Sequence, residues 1–357
     1  MERQRPWARQ ERAVGERRIT VALDAMGGDH GVKAVIGGAA RLSLEDSDVH
    51  ILAVGDIGAM TAALADTPHD PRRITMIASQ GVAPMDGKPQ DVLRSMPMCS
   101  ILTAARLVAS READALVSAG NTGATVLAAA KSFELIPGIP RAALASVYPT
   151  ERRHGPKGDP FALMLDVGAT LTADAATLVG FALMGSAYSS IISEIPRPGV
   201  ALLSNGTEPG KGTPAIVEAH ERLWRAPLDF RGNVEGLDIP RGTVDVVVCD
   251  GFLGNVVLKM LEGMGDVLQS VTAEASSKRI QWRIGLSMLE SGLNEIKRLT
   301  DWKAYGGAPL LGFDRVAIKA HGRSEPGAIR NAIKVAAKAV RGGLTERIRD
   351  SVENTGW

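Results

Sequence analysis

Five short stretches set a carboxylate, hydroxyl or amide among glycines directly after an apolar run: LDAMGGD, SAGNTGA, LDVGA, LLSNG and VCDGFLGN. That pairing of residue types has chemistry in it. Glycine lets the backbone turn tightly, and a helix starting just beyond the turn presents unpaired N–H groups whose dipole favours an anion. In SAGNTGA, Ala119 to Gly123 is read as an anion cradle, with Gly120 and Gly123 as the turn and Asn121 and Thr122 as side-chain donors. Capping of the following helix by Asn or Thr uses the same face, so both roles stay open there. Asp24, Gly27, Gly28 and Asp29 form the first turn; Asp166, Gly168 and Ala169 repeat it; Asp250, Gly251, Gly254 and Asn255 repeat it again. Lys259 follows Asn255 by four positions, which puts amide and ammonium on one helix face. Lys211, in GTEPGKG, either closes over an anion or is a solvated loop lysine. His30 reads as a surface turn residue.

The elements needed to hold these turns are legible as alternation. RITVALDAM, VHILAVGD, RITMIAS, ADALVSAG, RAALASVYPT, FALMLDVGAT, GVALLSNG and VDVVVCDG read as strands. VKAVIGGAARLSL, MCSILTAARLVAS, TGATVLAAAKSF and AATLVGFALMGSAYSSII read as helices between them. Near-continuous apolar strands alternating with helices predict an α/β fold: a doubly wound, three-layer α/β/α arrangement around a mostly parallel, Rossmann-like sheet. In such sheets ligands bind outside the carboxyl ends of the strands, which is where the polar glycine turns fall. Beyond Val256 the pattern changes. VVLKMLEGMGDVLQSV and RIQWRIGLSMLESGLNEIKRL predict a projecting pair of amphipathic helices over about 256–300. Residues 1–18 read as a disordered arm, 19–345 as a single domain and 346–357 as a C-terminal tail.

Composition narrows the classes. Of 357 residues, 39 are glycine and only 4% are aromatic, which favours tight strand-to-helix turns over a β-sandwich. A net charge of +1 gives no electrostatic case for a nucleic-acid partner. The two cysteines, Cys99 and Cys249, are far apart and fit a reducing cytoplasm better than a disulfide or zinc site. No apolar run is read as reaching the ~18 residues of a spanning helix. GGDHG lacks the spacing of a dinucleotide fingerprint, which weakens a nicotinamide dehydrogenase reading.

LDAMGGDHG, VSAGNTGA, LDVGA, FRGNVEGLDI, VVVCDGFLGNVVLK, YGGAPLLG and AHGRS occur in this order. Together, from about Ile19 to Arg341, they resemble the bacterial acyl-carrier-protein:phosphate acyltransferases of phospholipid synthesis. The resemblance implies a peripheral-membrane homodimer that moves a long acyl group from acyl carrier protein to inorganic phosphate without metal or organic cofactor. The acyl phosphate then passes to a membrane glycerol 3-phosphate acyltransferase. Three places depart from the family pattern: Thr170 and Ser204 stand where asparagine is expected, and RSMPMCS keeps Arg94 and Ser100 but lacks the expected lysine and one serine of the expected pair.

For that reaction the nucleophile is already an anion, so the protein has to position it and stabilise an oxyanion. Asn121, Lys259, His321 and Asp24 are the expected catalytic residues; Gly27, Gly28, Asp29, Gly120, Thr122, Gly123, Asp166, Gly168, Lys211, Asp250, Gly254 and Asn255 are expected to bind phosphate and thioester. His321, in IKAHGRS, serves either as acid to the departing thiolate or as a packing residue. Arg94 and Arg323 are candidates for docking phosphate or an acidic carrier. Met260, Leu261, Met264 and Leu268 are read as one wall of an acyl groove or as dimer core. Trp282, Ile284, Leu286, Met288 and Leu289, flanked by Lys278, Arg279 and Arg283, suit a membrane interface or a dimer equally.

Overall fold

The computed structural model describes residues 18–86, 89–278, 281, 288 and 305–355. They group into two compact units, one of residues up to Glu134 with Gly306–Thr345, the other of Leu135–Tyr305 with the residues from Glu346 on. The sequence pattern favoured one domain over 19–345. Two units of similar type alternate strand and helix without a break, so the boundary leaves no mark in the pattern.

In the first unit, β1 (Ile19–Asp24), β2 (Val49–Gly55), β3 (Ile74–Ala78), β4 (Ala115–Ser118), β10 (Ala308–Leu311) and β11 (Val316–Lys319) line up in the order β3-β2-β1-β4-β11-β10. All neighbours are parallel except the antiparallel β10–β11 pair. Val21, Leu23, Ile51, Leu116 and Val117 are fully buried, as parallel strands covered on both faces require. Each such side chain stabilises the unit by about 1.5–3 kcal/mol. The helices are α1 (Gly31–Glu45), α2 (Ile57–Ala65), α3 (Pro89–Ser95), α4 (Ser100–Ala109), α5 (Thr122–Ser132) and, later in the chain, α10 (Pro326–Arg341). α1 packs on α10, and α4 packs on α5. The chain moves from β1 out to β3, then returns to the other side of β1 as β4. The winding therefore reverses between β1 and β4, where a doubly wound sheet opens a crevice.

In the second unit, β5 (Ala143–His154), β6 (Asp159–Leu165), β7 (Gly199–Leu203), β8 (Asp229–Val234) and β9 (Val246–Val248) take the order β5-β6-β9-β7-β8, with only β5–β6 antiparallel. Its helices are α6 (Ala175–Ile192), α7 (Pro214–Leu223), α8 (Asp238–Arg241) and α9 (Gly251–Lys278). α6 corrects the expectation that no apolar run reaches spanning length: it has 18 residues of mean hydropathy 1.5. Its side chains are mostly buried against α7, β6, β7 and β9, so it is this unit's core helix.

The expected tail 346–357 also needs correcting. α11 (Leu344–Glu353) occupies most of it, because Leu344, Ile348 and Val352 recur every four residues and all three are buried. α9 supplies the first of the two expected projecting helices. The second, with 282–287 and 289, and the arm 1–17 lie outside the described residues. Strands β8, β10 and β11 and helices α2, α3, α7, α8 and α10 were not foreseen. The three strands are short or glycine-interrupted, and α7 and α10 are announced chiefly by a proline in their first turn.

Candidate functional site

Three neighbouring parallel strands of the first unit end in polar residues at one level. Asp24 of β1 is registered with Ser118 of β4, and Ser118 with Lys319 of β11. Residues in register point to the same face of a sheet, so carboxylate, hydroxyl and ammonium form a row. All three are buried, with 2%, 0% and 7% of their surface exposed. Ser118 Oγ donates to Asp24 Oδ2 at 2.7 Å and accepts from the Gly120 N–H at 3.0 Å. Burial pushes the Asp24 carboxyl above its usual range, against hydrogen bonds from Ser100, Ser118 and the Met26 and Gly27 backbone. Burial likewise draws Lys319 down to about 8, and the Asp24 and Asp29 charges partly oppose that. Lys319 is the one buried cationic side chain among the described residues.

The glycines let this row be covered closely. A Cβ on Gly27 would lie 2.5 Å from the Gly120 nitrogen, so the first and fourth strand-end turns touch only because both are bare backbone there. Gly28 has φ +105°, and the next residue, Asp29, donates its N–H to the Gly322 carbonyl at 2.8 Å. Asp24, Gly27, Ser118, Gly120, Asn121 and Thr125 line a narrow crevice at the reversal point, with Val82, Ala83 and Ile101 as its apolar wall. Asn121 is the N-cap of α5: its Oδ1 accepts from the Ala124 N–H at 2.9 Å, and its Nδ2 donates to the Met85 carbonyl at 2.6 Å. Both ends of that amide therefore have protein partners. Thr122 is exposed at the first position of α5, and Gly123 leaves room for Pro89. His321 Nδ1 accepts from the Arg323 N–H at 3.1 Å, which leaves the other ring nitrogen as the protonated one in the neutral ring.

The second unit uses the same sequence logic for another purpose. Asp166, fully buried after β6, accepts from four backbone N–H groups: Leu144, Gly168 and Ala169 on Oδ1 and Thr170 on Oδ2, at 2.7–3.1 Å. Thr170 in turn accepts the Gly251 N–H on Oγ1 at 3.1 Å, tying the turn after β6 to the start of α9. A Cβ on Gly254 would lie 1.9 Å from the Asp166 carbonyl oxygen. Asp250 caps α9 through the Leu253 N–H at 2.8 Å. Asn255 and Lys259 share the exposed side of α9, where Lys259 pairs with Glu262 at 2.7 Å. Lys211 is exposed in the loop before α7, its stem lying over Gly206.

The sequence reading therefore named Asp24, its glycines and Asn121 around the crevice but missed Lys319 and Ser118. The signal for Lys319 was present, since RVAI runs straight into a lysine ahead of another polar glycine turn. What it lacked was register, which only the folded sheet supplies.

Comparison with known proteins fixes the family. A model described as fatty acid synthesis protein matches residues 19–347. Phosphate acyltransferases of Desulfitobacterium hafniense and Thermoanaerobacter pseudethanolicus are 42% and 37% identical to the chain, covering 93% and 95% of it and 96% and 98% of their own lengths. The chain belongs to the bacterial phosphate acyltransferase family.

Membership makes it an acyltransferase. Among solved structures, a phosphotransacetylase from Streptococcus pyogenes is similar with a TM-score of 0.62 at 17% identity, over 91% of this chain and 94% of that one. The EutD phosphotransacetylase from Staphylococcus aureus follows with a TM-score of 0.58 at 16% identity, over 90% and 94%. At these identities the likeness establishes the α/β fold. At the ends of β1, β4 and β11, the row sets a buried hydroxyl and a buried ammonium beside a carboxyl that burial holds toward its neutral form.

Proposed function

We propose that the chain transfers a long-chain fatty acyl group from acyl carrier protein to inorganic phosphate, by direct attack of phosphate on the thioester. One phosphate oxygen bonds the carbonyl carbon, and the carbon–sulfur bond breaks with its electron pair on sulfur. The proton of monohydrogen phosphate ends on the released thiol. The product is an acyl phosphate, a substrate for a membrane glycerol 3-phosphate acyltransferase.

The observation that carries the long-chain reading is the side of α9 formed by Phe252, Val256, Met260, Met264, Val267 and Val271, all exposed and three or four residues apart. Such a stripe is about 28 Å long at helical rise. It suits a wall for a long acyl chain and a seam against α9 of a second copy, giving a homodimer. Leu261 is half-buried in the same helix, and the Leu268 side chain lies outside the described residues. Direct attack is favoured by the state of the thiols. Cys99 and Cys249 are both buried, and burial pushes both thiols up, away from the reactive thiolate. We place the enzyme in the cytoplasm, in peripheral contact with the inner face of the membrane.

The test is phosphate-dependent thiol release from palmitoyl-carrier protein and from acetyl-coenzyme A. The reading expects the carrier ester to be used at least tenfold faster. Preference for acetyl-coenzyme A would replace it with a short-chain phosphate acyltransferase, and lipid binding without turnover would leave an acyl-binding module. Rapid quenching without phosphate should find no acyl group on Ser118, the buried hydroxyl bonded to a carboxylate.

A further inference from the structure

The predicted cations Lys259 and Lys211 are exposed, and Lys259 is ion-paired. Lys319 is neither. It ends β11 at the level of Ser118 and Asp24, beside the point where the sheet's winding reverses. Its ammonium has three N–H donors, and among the described residues one acceptor is within reach, the Ala320 carbonyl. Burying an ammonium costs several kcal/mol, and most of that cost is recovered only when its donors are bonded and its charge is met. The acidic groups facing it are Asp24 on β1 and Asp29 in the turn before α1. Asp24 is itself already bonded to Ser118 and Ser100.

We propose that Lys319 is the cation that binds the phosphate substrate, its spare N–H donors bonding phosphate oxygen beside the Ser118 hydroxyl. Phosphate brings negative charge to a group whose solvation has been stripped away, which is where a charge-assisted bond is strongest. Asp24 then acts as a positioning residue. It fixes the Ser118 hydroxyl and keeps the ammonium in place when no anion is bound. The inference rests on acyl transfer to phosphate and is independent of which thioester is the donor.

Steady-state kinetics with phosphate varied, using palmitoyl-carrier protein and palmitoyl-coenzyme A in parallel, separate the two questions. Lys319→Met should lower kcat/KM for phosphate about 10- to 100-fold with either donor, the range expected for one hydrogen bond to a charged group. Its thermal unfolding should stay at or above the wild-type temperature, because an apolar side chain of similar length suits the site. Wild-type activity that needs the ammonium should fall as pH rises through about 8, where Lys319 loses its proton. In Lys319→Arg that alkaline fall should vanish, since arginine stays charged. Equal KM for phosphate in wild type and Lys319→Met, or an unchanged alkaline limb in Lys319→Arg, overturns the proposal. Loss of turnover with the carrier ester alone would instead count against the donor reading.

Discussion

Asp24 and Asp166 begin as the same motif, an aspartate closing an apolar strand ahead of glycines, and the fold uses them in opposite ways. Asp166 spends its carboxylate on four backbone N–H groups of its own unit. Asp24 divides its carboxylate between the Met26 and Gly27 backbone and two hydroxyl side chains, Ser118 and Ser100. A carboxylate surrounded by backbone donors is a structural anchor. A carboxylate set among hydroxyls near a buried lysine, with burial holding it toward the neutral form, has the character that the proposed phosphate site requires. Strand-end aspartates in this family of turns are thus distinguished by what bonds them, which no local sequence reveals.

Substitution at the two aspartates breaks the comparison most sharply. Asp166→Ala leaves four backbone N–H groups without their acceptor, those of Leu144 and Thr170 in the interior, and should cost about 2–4 kcal/mol of stability, measured by denaturant unfolding. Asp24→Asn keeps the shape but turns one acceptor oxygen into a donor, so it should cost less stability than Asp166→Ala, about 1 kcal/mol, while kcat falls at least tenfold. A stable Asp166→Ala protein, or an unstable Asp24→Asn one, would reverse the assignment of anchor and site.

The next effect is on pH. Lys319 has a folded value of about 8 against an ordinary 10.5, so between those values the unfolded chain binds more protons than the folded one. Stability therefore rises with pH across that window, by on the order of 1 kcal/mol per pH unit at most. The rise should be missing in Lys319→Met; urea midpoints at pH 8 and pH 10 compare them.

Asn121→Ala removes the α5 cap and the bond to Met85, for about 1 kcal/mol of stability and a tenfold loss of thiol release. A loss of stability alone would make Asn121 scaffold. The smallest effect belongs to Lys259→Ala. An exposed pair with Glu262 contributes a few tenths of a kcal/mol, and turnover should change less than about threefold. A tenfold fall would move the phosphate site toward α9.

Most of this was readable before the fold was known, and the exceptions share a cause. Strand-and-helix alternation showed the parallel sheet, and the polar glycine turns marked where strands end. Asn121 was legible as the α5 cap, while the bond from its amide to the Met85 carbonyl was not. Lys319 was not, because its partners, Asp24 and Ser118, lie 295 and 201 positions away and meet it only through the order β1-β4-β11. The division into two units was hidden for the same reason: contacts, not composition, define it. α6 was legible as one helix, and its glycines and serines are the small residues that let a core helix pack against strands. A Cβ on Gly185 would lie 2.6 Å from Val246.

A crystal of the full chain soaked in phosphate tests the central claim most directly. The account predicts phosphate density within hydrogen-bonding distance of Lys319 Nζ and Ser118 Oγ, at the carboxyl ends of β11 and β4. Phosphate bound instead at Asn255 and Lys259, with none beside Lys319, would contradict it.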